Sequence, residues 1–202
     1  IGTVIDGLKE EGYDQIIVVD DGSEDDTVKE AEMGGAHVVR HEVNKGLGAA
    51  IRSGLEEARK MKAEVAVTFD ADGQHDPKDI PRLIEALEHA DFAVGVRGRE
   101  QMPLNKYLGN EILNIITRFM GGPWTDSQSG LRAFGPEALD KIRIRSDKYS
   151  VSSEILIQVG QKGLSFETVP IEGIFTEYSK SSGTTIASGI KILFDLIILK
   201  FT

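Results

Sequence analysis

The chain has 202 residues, of which 40% are hydrophobic, with 33 acidic against 23 basic side chains and a formal net charge of -10. That length suffices for one sizeable core, and the acidic balance excludes nucleic acid as the natural partner, because phosphate-backbone binding needs a basic face; a nucleotide arriving with a metal remains compatible. The absence of cysteine excludes disulfides and thiolate metal sites.

No Pro/Gly/Ser-rich linker, repeat or low-complexity segment divides the chain, and no signal peptide or apolar run long enough to span a bilayer is read from it. Residues 3 to 11 read as the end of an amphipathic helix, and "QIIVVD" as a buried strand ending at Asp20 and Asp21. The turn "DGSEDDT" offers Ser23, Asp25 or Asp26 as helix caps, which leaves Asp20 and Asp21 unexplained at the sheet edge. A helix over 24 to 33, closed by Gly34 and Gly35, leads to a second strand, "AHVVRH". "NKGLGAAIRSG" then opens a helix over 47 to 61 with Lys45, Gly46 and Gly48, either as an ordinary helix start or as a cradle for phosphate. Ile51 stands where a dinucleotide fingerprint needs its third glycine.

The third strand, "AEVAVTFD", runs into Asp70, Asp72 and Asp76 within one short turn. Such a turn is either an exposed acidic loop or a site for a hard divalent cation, which takes one or two carboxylates plus substrate phosphates. His75 has no second histidine at ligand spacing and is expected to be solvated rather than a zinc ligand. A helix over 78 to 89 with Pro77 and Pro81 near its start precedes a fourth strand, "DFAVGVR". There follow a helix from about 104 to 120, a loop around Trp124, a strand at "LRAF", a helix opened by Pro136, another over 152 to 162, and a strand at "SFETVPI". Met102, Met120 and Trp124 read as packing or lid residues, and Glu154 as a buried acid near the site or part of a cap set by Ser152. The alternation predicts an α/β domain of parallel strands joined by crossover helices, with ligands outside the carboxyl ends of the strands.

In this order, "VVDDGSEDDT", "NKGLGAAIRSGLEEA", "FDADGQHDP" and "TDSQSGLRAF" resemble the family 2 glycosyltransferases of the GT-A fold, especially the dolichol-phosphate mannose or glucose synthases. The resemblance covers nearly the whole chain. It implies a Rossmann-like, mostly parallel sheet with helices on both faces. It further implies an inverting, metal-dependent transfer of a hexose from a nucleotide sugar, of the GDP-mannose or UDP-glucose/GlcNAc type, to a polyprenyl (dolichyl) phosphate at the cytoplasmic face of a membrane.

Carried onto this sequence, Asp70 and Asp72 are similar to the family's Asp-x-Asp motif for Mg²⁺ or Mn²⁺, with Gln74 as a further oxygen ligand. Asp20 and Asp21 match the nucleotide-facing acids, Ala71 presents its backbone to the nucleotide, and Lys45 and Gly46 join them on the nucleotide side. Arg97 or Arg99 is similar in place to an arginine that meets diphosphate or acceptor phosphate, while Arg132 and Lys180 read either as cations that hold the acceptor phosphate or as ordinary surface cations. "DSQSGLRAF" matches the acceptor-side signature, with Leu131 in place of the usual Phe. Asp126 is the base a hydroxyl acceptor would need, or a turn residue; a lipid phosphate needs no base.

Residues 1–185 are expected to form the catalytic domain, lacking the family's first strand and its Pro-x-(Tyr/Phe)-Asn-Glu loop, since Ile1 falls inside the helix that should follow. Residues 186–202 are expected to form an amphipathic helix, interfacial or docked on the core, with Ile190, Leu193, Phe194, Ile197 and Phe201 on one face. The alternatives are a non-catalytic nucleotide-sugar-binding module, an Asp-x-Asp phosphatase and a sugar nucleotidyltransferase.

Overall fold

In chain order the computed structural model contains α1 (Gly2–Glu10), β1 (Ile17–Asp20), α2 (Thr27–Met33), β2 (His37–Arg40), α3 (Leu47–Lys60), β3 (Ala66–Thr68), a 3-10 turn at Pro77–Asp79 and α4 (Ile80–Ala86). These are followed by β4 (Phe92–Arg97), α5 (Leu104–Phe119), β5 (Arg132–Phe134), α6 (Pro136–Lys141), α7 (Val151–Gln161) and β6 (Phe166–Ile171). The structure describes residues 1–98, 104–172 and 174, and within α5 the side chains from Tyr107 onward. Residues 186–202, Arg99, Met102 and Lys180 lie outside them.

β1 and β2 pair in parallel from Ile17↔His37 to Asp20↔Arg40, as a crossover through α2 requires. The other strands form a second sheet in the order β3-β5-β4-β6, so β1 and β3 belong to different sheets. α3 bridges them, packing on β1, β2 and β3 and on α7. β4 and β6 are parallel, but β5 runs antiparallel between β3 and β4. This departs from parallel strands throughout, and the cause is the route of the chain. From Arg97 it passes through α5 and re-enters the sheet at Arg132, opposite Val94, without crossing back to the sheet's other end. The described residues between the two strands, Gly98 and 104 to 131, therefore stay at the edge where β4 ends.

Alternation along β4 divides the core between two faces. Phe92 and Val94 join Phe134, Leu139, Ile155 and Leu156 beneath α6 and α7, with the Phe92 and Phe134 rings edge to face at 5.1 Å. Ala93 faces the opposite way, with Leu8 of α1, Ile80 and Leu83 of α4, Leu131 and Val169. Both faces are thus covered by helices. Met120 packs beside Leu113 and Ile157 between α5 and α7, whereas Trp124 is exposed.

The loop before α7 is latched onto the start of α3. Glu154 is buried and accepts from the backbone N–H groups of Arg145 (2.8 Å) and Ser146 (2.9 Å) and from Gln158 Nε2 (3.1 Å). The same loop extends the Asp147 carbonyl to the Gly48 N–H at 2.9 Å. A Cβ on Gly48 would fall inside the Ser146 carbonyl. Glu154 is therefore a buried structural acid, not part of a Ser152 cap. Glu154→Ala leaves several buried donors without an acceptor and is expected to lower unfolding free energy by about 3 kcal/mol. Urea denaturation checks this, and a midpoint equal to the parent's would refute the latch.

Candidate active site

Asp70 follows β3 at the edge where β4 ends. Its carboxylate keeps 42% of its surface open, and Oδ2 lies 3.4 Å from His75 Nε2. Gly130, next to the start of β5, makes room for it: a Cβ there would overlap the Asp70 carboxylate. Thr68 Oγ donates to the Gly130 carbonyl at 2.7 Å and fixes that approach. Burial alone would raise the Asp70 pKa, but His75, Arg132 and Arg97 together hold it below the ordinary value.

His75 is buried, which corrects the expectation of a solvated ring. The turn folds back on its strand and sets the imidazole edge-on against Phe69, with ring centroids 5.6 Å apart, while Nδ1 has no hydrogen-bond partner. Asp76 Oδ1 accepts from Lys78 N at 3.0 Å and caps the 3-10 turn. Ala71 and Asp72 are exposed. Asp72 Oδ1 accepts from Gln74 N at 3.0 Å, and the Gln74 carboxamide nitrogen donates to Oδ2, so Gln74 meets Asp72 as a donor. Among the described residues no three acids or histidines converge as a metal cage. The half-open Asp70 and exposed Asp72 instead fit a hard ion completed by substrate phosphates.

Asp20 and Asp21 have different surroundings. The Asp20 side chain is fully enclosed; Oδ1 accepts from Ser23 N at 3.2 Å, while Oδ2 lies 3.6 Å from Arg40 Nε with no hydrogen bond. Asp21 accepts from His41 Nδ1 (2.7 Å), Lys45 N (2.9 Å) and Gly46 N (2.7 Å), and His41 Nε2 meets Ser53 Oγ at 2.9 Å. Burial would raise the Asp21 pKa, but those donors outweigh it and lower it. Asp147 O takes the N–H groups of Gly48 and Ala49. The amides read as a phosphate cradle are therefore satisfied within the protein, and the exposed Lys45 side chain is what that loop presents outward.

On the other side of Asp70, Arg97 at the end of β4 makes a bidentate pair with Asp126: Nε to Oδ2 is 2.8 Å and Nη2 to Oδ1 is 3.0 Å. Asn110 Nδ2 (2.9 Å) and Gln128 N (3.2 Å) also donate to Asp126. Burial raises the Asp126 pKa, but Arg97 dominates the opposing interactions and the net direction is down. Arg132, on β5, is wholly buried; Nη2 reaches the Ser127 carbonyl at 3.4 Å, and Nε and Nη1 have no partner. Burial pulls its pKa down to about 10, against the attraction of Asp70 and Asp126.

Arg97 separates two cavities. One of about 270 Å³ is bounded by Tyr107, Asn110, Asn114, Trp124 and Asp126; the other, about 500 Å³, by Asp76, Asp79, Arg82 and Glu172. The structure thus gathers Asp70, Asp72, Arg97, Asp126 and Arg132 around one edge, with Arg132 sealed beneath the surface. His41, Asn110, Asn114 and Gly130 carried no sequence signal of their own beyond the quoted motifs, since their roles depend on long-range partners.

Asp126→Asn is expected to cost about 3 kcal/mol at neutral pH by leaving the partly buried Arg97 without its counter-charge. The folded pKa of Asp126 lies below its ordinary value, so the pair's stabilisation is complete above about pH 5 and is lost as pH falls through the folded value. Denaturation curves should converge for parent and variant in acid; a constant gap down to low pH would contradict the ion pair.

Residues 1–141 match the family described as Glycosyl transferase family 2. The chain is 48% identical over 210 residues to an uncharacterized protein, MJ1222, of Methanocaldococcus jannaschii, covering 99% of this chain and 86% of that protein. It is 40% identical over 227 residues to a UDP-N-acetylglucosamine–dolichyl-phosphate N-acetylglucosaminyltransferase of Methanococcus voltae, covering 99% of this chain and 90% of that protein. It is 32% identical over 191 residues to a polyprenol monophosphomannose synthase of Mycolicibacterium smegmatis, covering 85% and 71% of the two chains. Glucosyl-3-phosphoglycerate synthase from Mycobacterium tuberculosis, solved with Mn²⁺, UDP and glucosyl-3-phosphoglycerate, superposes with a TM-score of 0.72 at 22% identity, over 98% of this chain and 74% of that one. That likeness concerns the fold alone, and it agrees with the two-faced sheet. With most of its length matched by the family and close relatives aligned nearly end to end, this chain belongs to glycosyl transferase family 2 and has the GT-A fold.

Proposed function

We propose that the protein transfers a hexose from a nucleotide sugar to a polyprenyl phosphate, with inversion at the anomeric carbon, at the cytoplasmic face of a membrane. The observation that carries the acceptor assignment is the state of Asp126. A hydroxyl acceptor needs a general base, and Asp126, the base expected from sequence, already accepts from Arg97, Asn110 and Gln128 N and has its pKa lowered. A phosphate acceptor is anionic near neutral pH and brings its own nucleophile. Glu111 also borders the smaller cavity, but it accepts from Asn114 Nδ2 at 3.2 Å. The names of the 40% and 32% identical relatives, with dolichyl phosphate and polyprenol in them, support the same acceptor class.

On this reading Asp70 and Asp72 would hold Mg²⁺ or Mn²⁺ together with the donor diphosphate, and such an ion would supply counter-charge to the leaving nucleoside diphosphate. Asp20 is enclosed beneath Arg40, whose guanidinium lies 3.6 Å from an Oδ2 without a hydrogen bond, so its acceptance of a base or ribose donor requires the exposed Arg40 side chain to swing aside. Ala71 is exposed beside these acids, with its backbone toward the nucleotide. Arg97 feels the charge of Asp70 and Asp72 as well as Asp126, so it stands between donor and acceptor sides. Its guanidinium, with Asn110, orients the attacking phosphate oxygen. Arg132 acts from below, as counter-charge to Asp70 and Asp126, without meeting substrate.

Transfer of labelled sugar from UDP-N-acetylglucosamine or GDP-mannose to a polyprenyl phosphate, with none to the corresponding polyprenol, is the expected outcome. Transfer to the alcohol alone, or release of inorganic phosphate without sugar transfer, would overturn it. Asp72→Ala should weaken metal-dependent donor binding by about a hundredfold in calorimetric titration, while its urea unfolding stays within about 0.5 kcal/mol of the parent, as for an exposed site. Equal affinity in the two proteins would remove Asp72 from the metal site.

A further inference from the structure

Asp21, His41 and Ser53 form a continuous hydrogen-bonded chain that the reaction proposed above does not use. Asp21 Oδ1 meets His41 Nδ1 at 2.7 Å, and His41 Nε2 meets Ser53 Oγ at 2.9 Å. A carboxylate only accepts, so Nδ1 carries a proton, and Nε2 of the neutral ring accepts from the Ser53 hydroxyl. Residues in this order activate a serine for acyl transfer only where further donors await an oxyanion. Here the neighbouring amides, Lys45 N at 2.9 Å and Gly46 N at 2.7 Å, donate to Asp21 itself. The chain therefore ends in a loop and not at a reacting group.

That loop, residues 42 to 46, is confined along its length. At one end the Gly22 turn packs so closely that a Cβ on Gly22 would lie 2.7 Å from Asn44 N. At the other, Gly46 has a φ of 102° and lies against the Asp147 carbonyl. Lys45 is exposed, and among the described residues its ammonium makes no ion pair. We propose that His41 and Ser53 are positioning residues for donor binding: through Asp21 they fix the Lys45 backbone so that its ammonium meets the phosphates of a nucleoside diphosphate. The inference rests on the nucleotide-sugar donor proposed above.

Charge explains why such a cation is needed. Asp20, Asp70 and Asp72 stand at the carboxyl ends of β1 and β3, and a diphosphate brings further negative charge to them. The nearby arginines are committed: Arg40 lies 3.6 Å from Asp20, Arg97 is paired with Asp126, and Arg132 is sealed. A lysine on an unrestrained loop would lose much of its attraction to the entropy of ordering both backbone and side chain. The chain removes the backbone part of that cost in advance. Asp21 follows β1, His41 follows β2 and Ser53 lies in the second turn of α3, so the buried imidazole ties three elements to one loop.

Calorimetric titration of UDP and of GDP, each with Mn²⁺, tests the chain without requiring sugar transfer. Lys45→Ala and His41→Ala should each weaken binding of the preferred nucleotide by about tenfold, the size of one lost contact to a charged group. The double variant should bind within about twofold of Lys45→Ala, because placing an absent ammonium gains nothing. His41→Asn, whose Nδ2 replaces Nδ1 as the donor to Asp21, should recover affinity to within about threefold of the parent, and Ser53→Ala, which keeps the Asp21 bond, should fall between His41→Asn and His41→Ala. In transfer assays the losses should appear in the donor KM and not in kcat. Losses that multiply in the double variant, parental affinity in His41→Ala, or no recovery in His41→Asn would overturn the inference. If His41→Ala does not fold, Ser53→Ala with Lys45→Ala closes the same cycle, and multiplied losses there overturn it equally. Sugar transfer to polyprenyl phosphate with uncoupled losses refutes the positioning chain alone. Coupled losses of nucleotide affinity in a protein that transfers no sugar support the chain and refute the function reading; a parent that binds neither nucleotide overturns both.

Discussion

Charge gathered at one sheet edge, from half-open Asp70 to sealed Arg132, is the constraint around which this structure is arranged. Asp70 and Asp126 are set close to Arg97 and Arg132, and removing any one leaves an uncompensated charge in a poorly solvated region. The antiparallel insertion of β5 makes the arrangement possible. It carries Arg132 into the sheet between β3 and β4, and it brings Gly130 close enough to Asp70 that no side chain fits between them. Arg132 stays cationic although burial lowers its pKa to about 10, because two carboxylates lie within its field.

A second economy appears at the start of α3. Helix N-terminal amides attract anions, and the loop before α3 has the composition of a phosphate site. Here the anion is internal: Asp21 accepts from Lys45 and Gly46, while the Asp147 carbonyl, on a loop pinned by Glu154, takes the amides of Gly48 and Ala49. The glycines serve close backbone approach between two loops. This leaves Asp70 and Asp72 as the acids open to solvent at the proposed donor side, with Asp20 enclosed beside Arg40. It also separates two adjacent aspartates by role, since Asp21 is a latch and Asp20 has an acceptor oxygen without a donor.

α5 joins the two sides of the proposed chemistry. Its inner asparagines hold Asp126 and the Ser127 backbone, so they stiffen the wall of the smaller cavity, and its outer face is apolar. Among the described residues no helix is long and apolar enough to cross a membrane.

The secondary elements were legible in the sequence because local chemistry sets them: β-branched runs for β1, β2 and β3, Pro77, Pro81 and Pro136 at helix starts, and Gly34 after α2. Motif order was enough to indicate the family and to direct attention to Asp70, Asp72 and Asp126. Sequence alone did not reveal that β5 runs antiparallel, because direction depends on where a long connection re-enters the sheet. Nor did it show that His75 is buried, that the Lys45 and Gly46 amides are spent on Asp21, or that Arg132 is sealed from solvent. Each of those facts is a pairing between residues distant in the chain or a fold-back of the turn, and hydrogen bonding and desolvation are decided by what the tertiary structure brings alongside, which periodicity and composition do not encode.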